Sequence, residues 1–188
     1  MSATSIHKEM RLTAAGRSQI VADLVNGNDD TWIIWVNTNY ESDAIKALIP
    51  DVVEVRGSES IAAKERKLTD FTEGRIRVIL TKAEIAGFGL NWQHCHKMVY
   101  LSDYSFEKFY QAVRRAFRYG QKHDVEVYLV SADTEGPIIA SLERKMRAHV
   151  ELANAMNANF LSFQEDLQLT KYNPQVPMVL PEWLCSHG

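Results

Sequence analysis

The sequence predicts a three-layer α/β domain: a mostly parallel sheet of about five or more strands flanked by helices, followed by an extended C-terminal tail. Three observations predict it. Short β-branched and aromatic runs recur along the chain, and several are almost continuously apolar, as strands covered on both faces are. Stretches with helical period lie between them, so the repeating unit is strand, helix, strand. The last thirty residues lose both patterns and gain prolines.

Residues 1–29 read as an N-terminal linker with a weak helix over about 13–25. The first strand is Trp32-Ile33-Ile34-Trp35-Val36. A helix over 39–49 carries Ala44, Ile45 and Leu48. The second strand is Val52-Val53-Glu54-Val55. The helix over 60–73, with Ile61, Leu68 and Phe71, stops before Gly74, a residue suited to the left-handed position after a helix. Strands follow at Ile76–Leu80, Met98–Leu101 and Val125–Val130. Between the last two, a helix over 105–118 is capped by Ser105. A final helix over 137–155 carries Ile139, Leu142, Met146, Val150 and Ala153. The domain occupies residues 30–158. From 159 to 188 the chain is predicted to be extended, because Pro174, Pro177 and Pro181 forbid a long helix; Leu180 and Trp183 anchor it on the domain surface.

A chain of 188 residues with 46% apolar and 24% charged residues can bury a core without staples. The net charge of −3 excludes a global basic field, so any nucleic-acid site must be a local patch. The two cysteines, Cys95 and Cys185, form no disulfide framework, and a reducing compartment is expected. No apolar run reaches membrane-span length, and no membrane partner is expected.

Several chemistries are missing. No glycine is followed by lysine, so the phosphate-cradling loop GxxxxGK[ST] is absent, and no Asp-Glu pair follows a strand to hold Mg²⁺. Gly87-Phe88-Gly89 begins a dinucleotide fingerprint whose third glycine position is Trp92. His94-Cys95-His96 lacks the spacing of a zinc site, and no metal site is expected. The informative stretch is SFEKFYQAVRRAFRYGQKH, residues 105–123. Five Lys or Arg stand there against one Glu. At about 100° per residue, Phe106, Phe109, Tyr110, Val113 and Phe117 fall on one stripe and Gln111, Arg115 and Arg118 on another. Arginine's planar fork suits phosphate oxygens and stays charged when desolvated.

In their order these segments resemble the second RecA-like lobe of a superfamily-two helicase or translocase. WIIWVNT resembles motif IV, AGFGLNW the Swi/Snf-like form of motif V, and QAVRRAFRYGQ motif VI. VEVRGSESIAAKERKLTDFTEGRIRVILT resembles the stretch between, with Gly57, Arg66, Phe71 and Gly74 in place. The string from IAGFGLNW to RYGQ is especially similar to helicases of bacteriophages and prophages. Two departures separate it from other branches. Gly89 stands where the DEAD-box form has Asp, and Arg114 and Phe117 stand where the Swi/Snf-like motif VI has Asp and His.

The resemblance implies an ATP-dependent motor of two lobes, with ATP and Mg²⁺ held mainly by a first lobe that this chain lacks. Arg115 and Arg118 are then fingers to the γ-phosphate, and Gln111 positions the phosphate or the attacking water. Gly87, Gly89 and Asn91 approach the nucleotide. Asn37, Thr38, Arg56, Ser58, Thr81 and Lys82, all close after predicted strands, are candidate contacts to a nucleic-acid backbone, DNA first and RNA as the alternative. The implied partners are the first lobe and the nucleic acid. The implied location is the cytoplasm of a bacterial or phage-infected cell. Trp92 reads as a core or interface residue before a base-stacking one. The competing reading is a degenerate, non-enzymatic module that binds nucleic acid or a partner.

Overall fold

Apolar strands that alternate their side chains between two covered faces need helices on both sides, and the chain supplies them. The computed structural model describes residues 8, 10–85, 90–102 and 105–166, with helical backbone alone from 157 onward. Gly87 and Gly89 lie outside the described residues, as do Leu180, Trp183 and the prolines of the tail.

The order of elements is α1 (Ala14–Asn26), β1 (Trp32–Trp35), α2 (Asn39–Leu48), β2 (Val52–Val55), α3 (Ile61–Thr72), β3 (Val78–Thr81), β4 (Lys97–Leu101), α4 (Phe106–Val113), β5 (Glu126–Val130) and α5 (Gly136–Asp166). All pairings are parallel, in the order β2-β3-β1-β4-β5. Period-two alternation splits each strand between two cores. Ile33, Trp35, Ile79, Met98 and Tyr100 meet Phe71 of α3, Phe109 and Ala112 of α4, and Ile138 and Leu142 of α5. Trp32, Ile34, Leu80, Val99 and Leu101 meet Val21, Ala22 and Val25 of α1 and Ile45 of α2. The continuous apolar runs therefore reflect burial on both sides of one sheet.

Local signals fix most ends. Thr38 closes a capping box with Glu41 at the start of α2. Gly74 follows α3 with φ +75°, a conformation that costs a side-chain residue dearly. Ser105 accepts from the Lys108 amide at 3.3 Å to cap α4.

Four expectations are corrected. Helix α4 ends at Val113, not 118, and residues 114–118 form turns. The Arg115 carbonyl, which a continuing helix would use, accepts instead from the Trp92 amide at 2.9 Å. The apolar stripe stops with the helix, and Phe117 is 55% exposed. Ile61, expected to face the core, is exposed at the first position of α3. Strand β3 runs through Thr81, one residue later than expected, because Thr81 pairs with both Trp35 and Val55. The last helix continues to Asp166, past the expected start of extended chain at 159. The sequence offers no proline between Pro137, in its first turn, and Pro174. That helix starts in one compact unit, residues 1–147, which contains the sheet; the second unit comprises residues 148–188. Met146 and Val150 are exposed along it.

Candidate functional site

Helix α4 leaves the C-terminal end of β4 and returns the chain to the N-terminal end of β5, so its basic residues and the strand-end loops occupy different edges of the sheet. Phe109 and Ala112 bury one side of the helix, and the Phe109 ring meets Tyr100 edge-on at 5.2 Å. Beyond Val113 a succession of tight bonds builds the arginine turn: Arg115 N to Ala112 O, Ala116 N and Phe117 N to Val113 O, and Arg118 N to Ala116 O, at 2.9–3.2 Å. Gln121 braces it. Its side-chain Nε2 donates to Ala116 O and Gln93 O, while Oε1 accepts from the Lys122 and His123 amides. Gly120, at φ +89°, lets the chain double back for this.

Within the turn, Arg115 is 7% exposed and has no carboxylate partner among the described residues. Burial holds its guanidinium below the usual arginine range, and the like charge of Arg118 adds to that. A buried cation without a counter-charge is costly and rare unless an external anion completes it. Arg118 is half-buried, with Nε donating to the Arg114 carbonyl at 3.1 Å. Gln111 donates from Nε2 to Glu107 at 3.2 Å. The three side chains expected on one helical stripe thus come from the last full turn of α4 and the loop after it. Asn91 is exposed and forms a local turn with Gln93.

At the other edge, the ends of β2 and β3 enclose a cavity of about 330 Å³ lined by Arg56, Ser58, Thr81 and Lys82 together with Asn39 and Ser42. Lys82 forms no ion pair among the described residues, and Ser58 is exposed. Arg56 is engaged by Glu54 and Asp43, which hold its charge more firmly. The Thr81 hydroxyl donates to Val55 O at 3.2 Å inside the sheet. Asn37 lines a second, smaller cleft with Lys82. Its Nδ2 donates to Leu101 O at 2.8 Å, and its amide and that of Thr38 both donate to Glu41. The donors of Asn37 and Thr38 are therefore spent on shaping the edge.

Sequence reasoning passed over Arg17, Glu41, Gln121 and Glu135. Only Glu41 carried a local signal, the T-x-x-E spacing from Thr38; the others become visible once the strands are stacked. Trp92 is fully buried, its ring 5.8 Å from Trp35 and 5.0 Å from Phe71. The Cys95 thiol has its one proton within reach of both Thr31 O and Lys97 O, and burial pushes it up to about 12. It is no thiolate ligand at neutral pH. Among the described residues no three potential ligands of the His, Cys, Asp or Glu type converge.

The model of the helicase conserved C-terminal domain matches residues 16–120, more than half of the chain. The chain belongs to the helicase conserved C-terminal domain family. It is 31% identical over 139 residues to the TATA-binding protein-associated factor mot1 of Schizosaccharomyces pombe, covering 71% of this chain and 7% of that protein. The mot1 protein of Aspergillus fumigatus is 30% identical over the same length. The chain thus spans a small fraction of the curated relatives it matches. The C-terminal domain of the DEAD-box protein Dbp5 superposes with a TM-score of 0.59 at 19% identity, over 70% of this chain and 79% of that one. The C-terminal part of the Fun30 ATPase domain superposes with a TM-score of 0.56 at 17% identity, over 66% of this chain and 43% of that one. These likenesses agree with a RecA-like, all-parallel helicase C-terminal domain. Among the described residues no helix is long and apolar enough to cross a membrane.

Proposed function

We propose that this helicase C-terminal domain is the second motor lobe of an ATP-dependent DNA helicase or translocase of the phage-type, Swi/Snf-like branch. It works in the bacterial or phage-infected cytoplasm. Family membership supports the general class, and motifs V and VI support the branch. The observation that carries the reading is Arg115: a buried side chain beside Arg118 that has no carboxylate partner among the described residues, on a backbone whose carbonyl is held by the Trp92 amide. That is an anion site with half of its charges missing. A γ-phosphate presented by a first lobe, which also holds Mg²⁺, supplies the other half. Arg115 and Arg118 stabilise the charge that spreads over the transferring phosphoryl group, and Gln111 orients the phosphate or water. Asn91, with Gly87 and Gly89, flanks the nucleotide.

At the strand-end cleft, Lys82 and Ser58 contact the nucleic-acid backbone directly. Arg56 joins them by exchanging the exposed Asp43 for phosphate. Asn37, Thr38 and Thr81 shape the wall. Such contacts grip phosphate without reading sequence. Lobe closure on ATP and reopening after hydrolysis turn the grip into steps.

The test is ATP turnover with and without the first lobe. The 188-residue chain alone does not turn over ATP; joined to its first lobe it does. Arg115→Ala or Arg118→Ala then lowers kcat by about 10³-fold or more with the circular dichroism spectrum unchanged. Turnover by the isolated chain at an ordinary rate sinks the reading. A non-enzymatic module is the second possibility, and binding of nucleic acid with no ATP turnover even when the first lobe is joined favours it. A scaffold, however, gains nothing from keeping a desolvated arginine without a partner.

A further inference from the structure

A second buried arginine lies far from the helicase motifs. Arg17, on α1, is 2% exposed and is fully engaged. Its Nη1 donates to Glu41 Oε1 at 2.8 Å, its Nη2 to the Met10 carbonyl at 2.7 Å, and its Nε to the Thr13 hydroxyl at 3.3 Å. Glu41 is 0% exposed. Its other oxygen, Oε2, accepts from the Asn37 amide at 3.1 Å, the Thr38 amide at 3.0 Å and the Thr38 hydroxyl at 2.8 Å. On its other flank the Arg17 Nε stands 3.9 Å from Glu135 Oε1. Glu135 Oε2 accepts from the Ser102 hydroxyl at 2.8 Å and the Ala132 amide at 3.1 Å. One guanidinium thus ties together the chain leaving β1, β4 and β5.

The segment held by Glu41 is the wall of both strand-end clefts. Val36 and Asn37 line the smaller one, and Asn39 and Ser42 line the larger one opposite Arg56, Ser58 and Lys82. Glu41 sits in the middle of that wall, facing inward. A carboxylate left buried without a counter-charge would be driven toward water, and the three donors it fixes would be released.

We infer that Arg17 is a positioning residue for the nucleic-acid edge, acting through Glu41 on the turn at Asn37 and Thr38. The inference rests on the function proposed above. It predicts that Arg17 touches no nucleic acid, yet sets how well the cleft receives it.

Removing one charge of a buried pair can unfold a domain, so the decisive variant removes both. In the R17M/E41Q protein the hydrogen-bonded pair of charges goes together and the volumes are kept, while Glu135 retains its bonds from Ser102 and Ala132. The readouts are binding of a fluorescein-labelled single-stranded DNA oligonucleotide, amide hydrogen exchange at Asn37 and Thr38, and the thermal midpoint. The expected result is a tenfold or larger rise in Kd and at least tenfold faster exchange at those two amides. Exchange in β1, β3 and β4 stays slow and the midpoint moves by only a few degrees. The conservative Arg17→Lys restores most of the affinity. Unchanged Kd in a folded R17M/E41Q protein overturns the role of Arg17 alone, as does faster exchange spread evenly over the sheet. Failure of the unaltered protein to bind the oligonucleotide overturns the proposed function, and this inference with it.

Discussion

Arg17 and Arg115 have the same side chain and nearly the same burial, 2% and 7% exposed, but opposite surroundings. Arg17 hydrogen-bonds the Glu41 carboxylate and stands 3.9 Å from that of Glu135, whereas Arg115 has no carboxylate partner among the described residues. Replacement by an apolar residue of similar size should therefore act in opposite directions. Arg17→Met strands Glu41 and should cost about 3–5 kcal/mol in urea denaturation. Arg115→Met removes a desolvated, repelled charge and should be neutral or stabilising by up to ~1 kcal/mol. Equal losses in the two variants would mean that Arg115 has a structural partner. The sequence exposed the Arg115 side of this contrast, through the spacing of Gln111, Arg115 and Arg118. It hid Arg17, whose partners stand 24 residues away at Glu41 and far beyond that at Glu135.

Elements were legible where their signals are local. The cap at Ser105 and the left-handed Gly74 lie within one turn of the ends they set. The Thr38–Glu41 capping box is equally local, but the sequence pointed to Thr38 only as a contact to the nucleic-acid backbone. Thr38→Ala loses the hydroxyl that both accepts from the Glu41 amide and donates to the Glu41 carboxylate. The expected cost is about 1–2 kcal/mol, read as a fall in the urea midpoint with an unchanged slope. The end of α4 was not legible, because its terminator is the Trp92 amide, supplied by a distant loop. That bond and the tight turn bonds around it take Arg115 and Arg118 off the helical stripe that their spacing implied.

For the molecule as a whole, acid sensitivity should come in two stages. His94 is exposed on one side, and desolvation of the rest of its ring holds it below its usual range, with a bond involving the Phe71 backbone opposing the shift. Its unfolded form takes up a proton first, near pH 6.5. This contribution is therefore complete above ~6.5 and lost as the pH falls further. Asp51 is held below the carboxylate range by the Arg77 guanidinium, and Asp30 by the Lys97 ammonium. Their contributions are present above ~4 and lost below it. The urea midpoint should thus stay level from pH 8 to about 7, decline from about 6.5, and decline again below about 4. His94→Gln should remove the first decline and leave the second; loss of both, or of neither, would contradict this assignment. The fold class was readable at this scale because runs covered on both sides of a sheet admit few arrangements. The order β2-β3-β1-β4-β5 was not, since alternation along the chain carries no record of which strand lies beside which.

The Trp92 amide that arrests α4 belongs to the same residue whose indole lies on Trp35 in the core. One indole of that pair is therefore carried by a residue whose backbone amide is hydrogen-bonded to the Arg115 carbonyl. Any event that tugs the arginine loop, such as nucleotide capture by an apposed lobe, reaches an internal fluorophore without a label being attached.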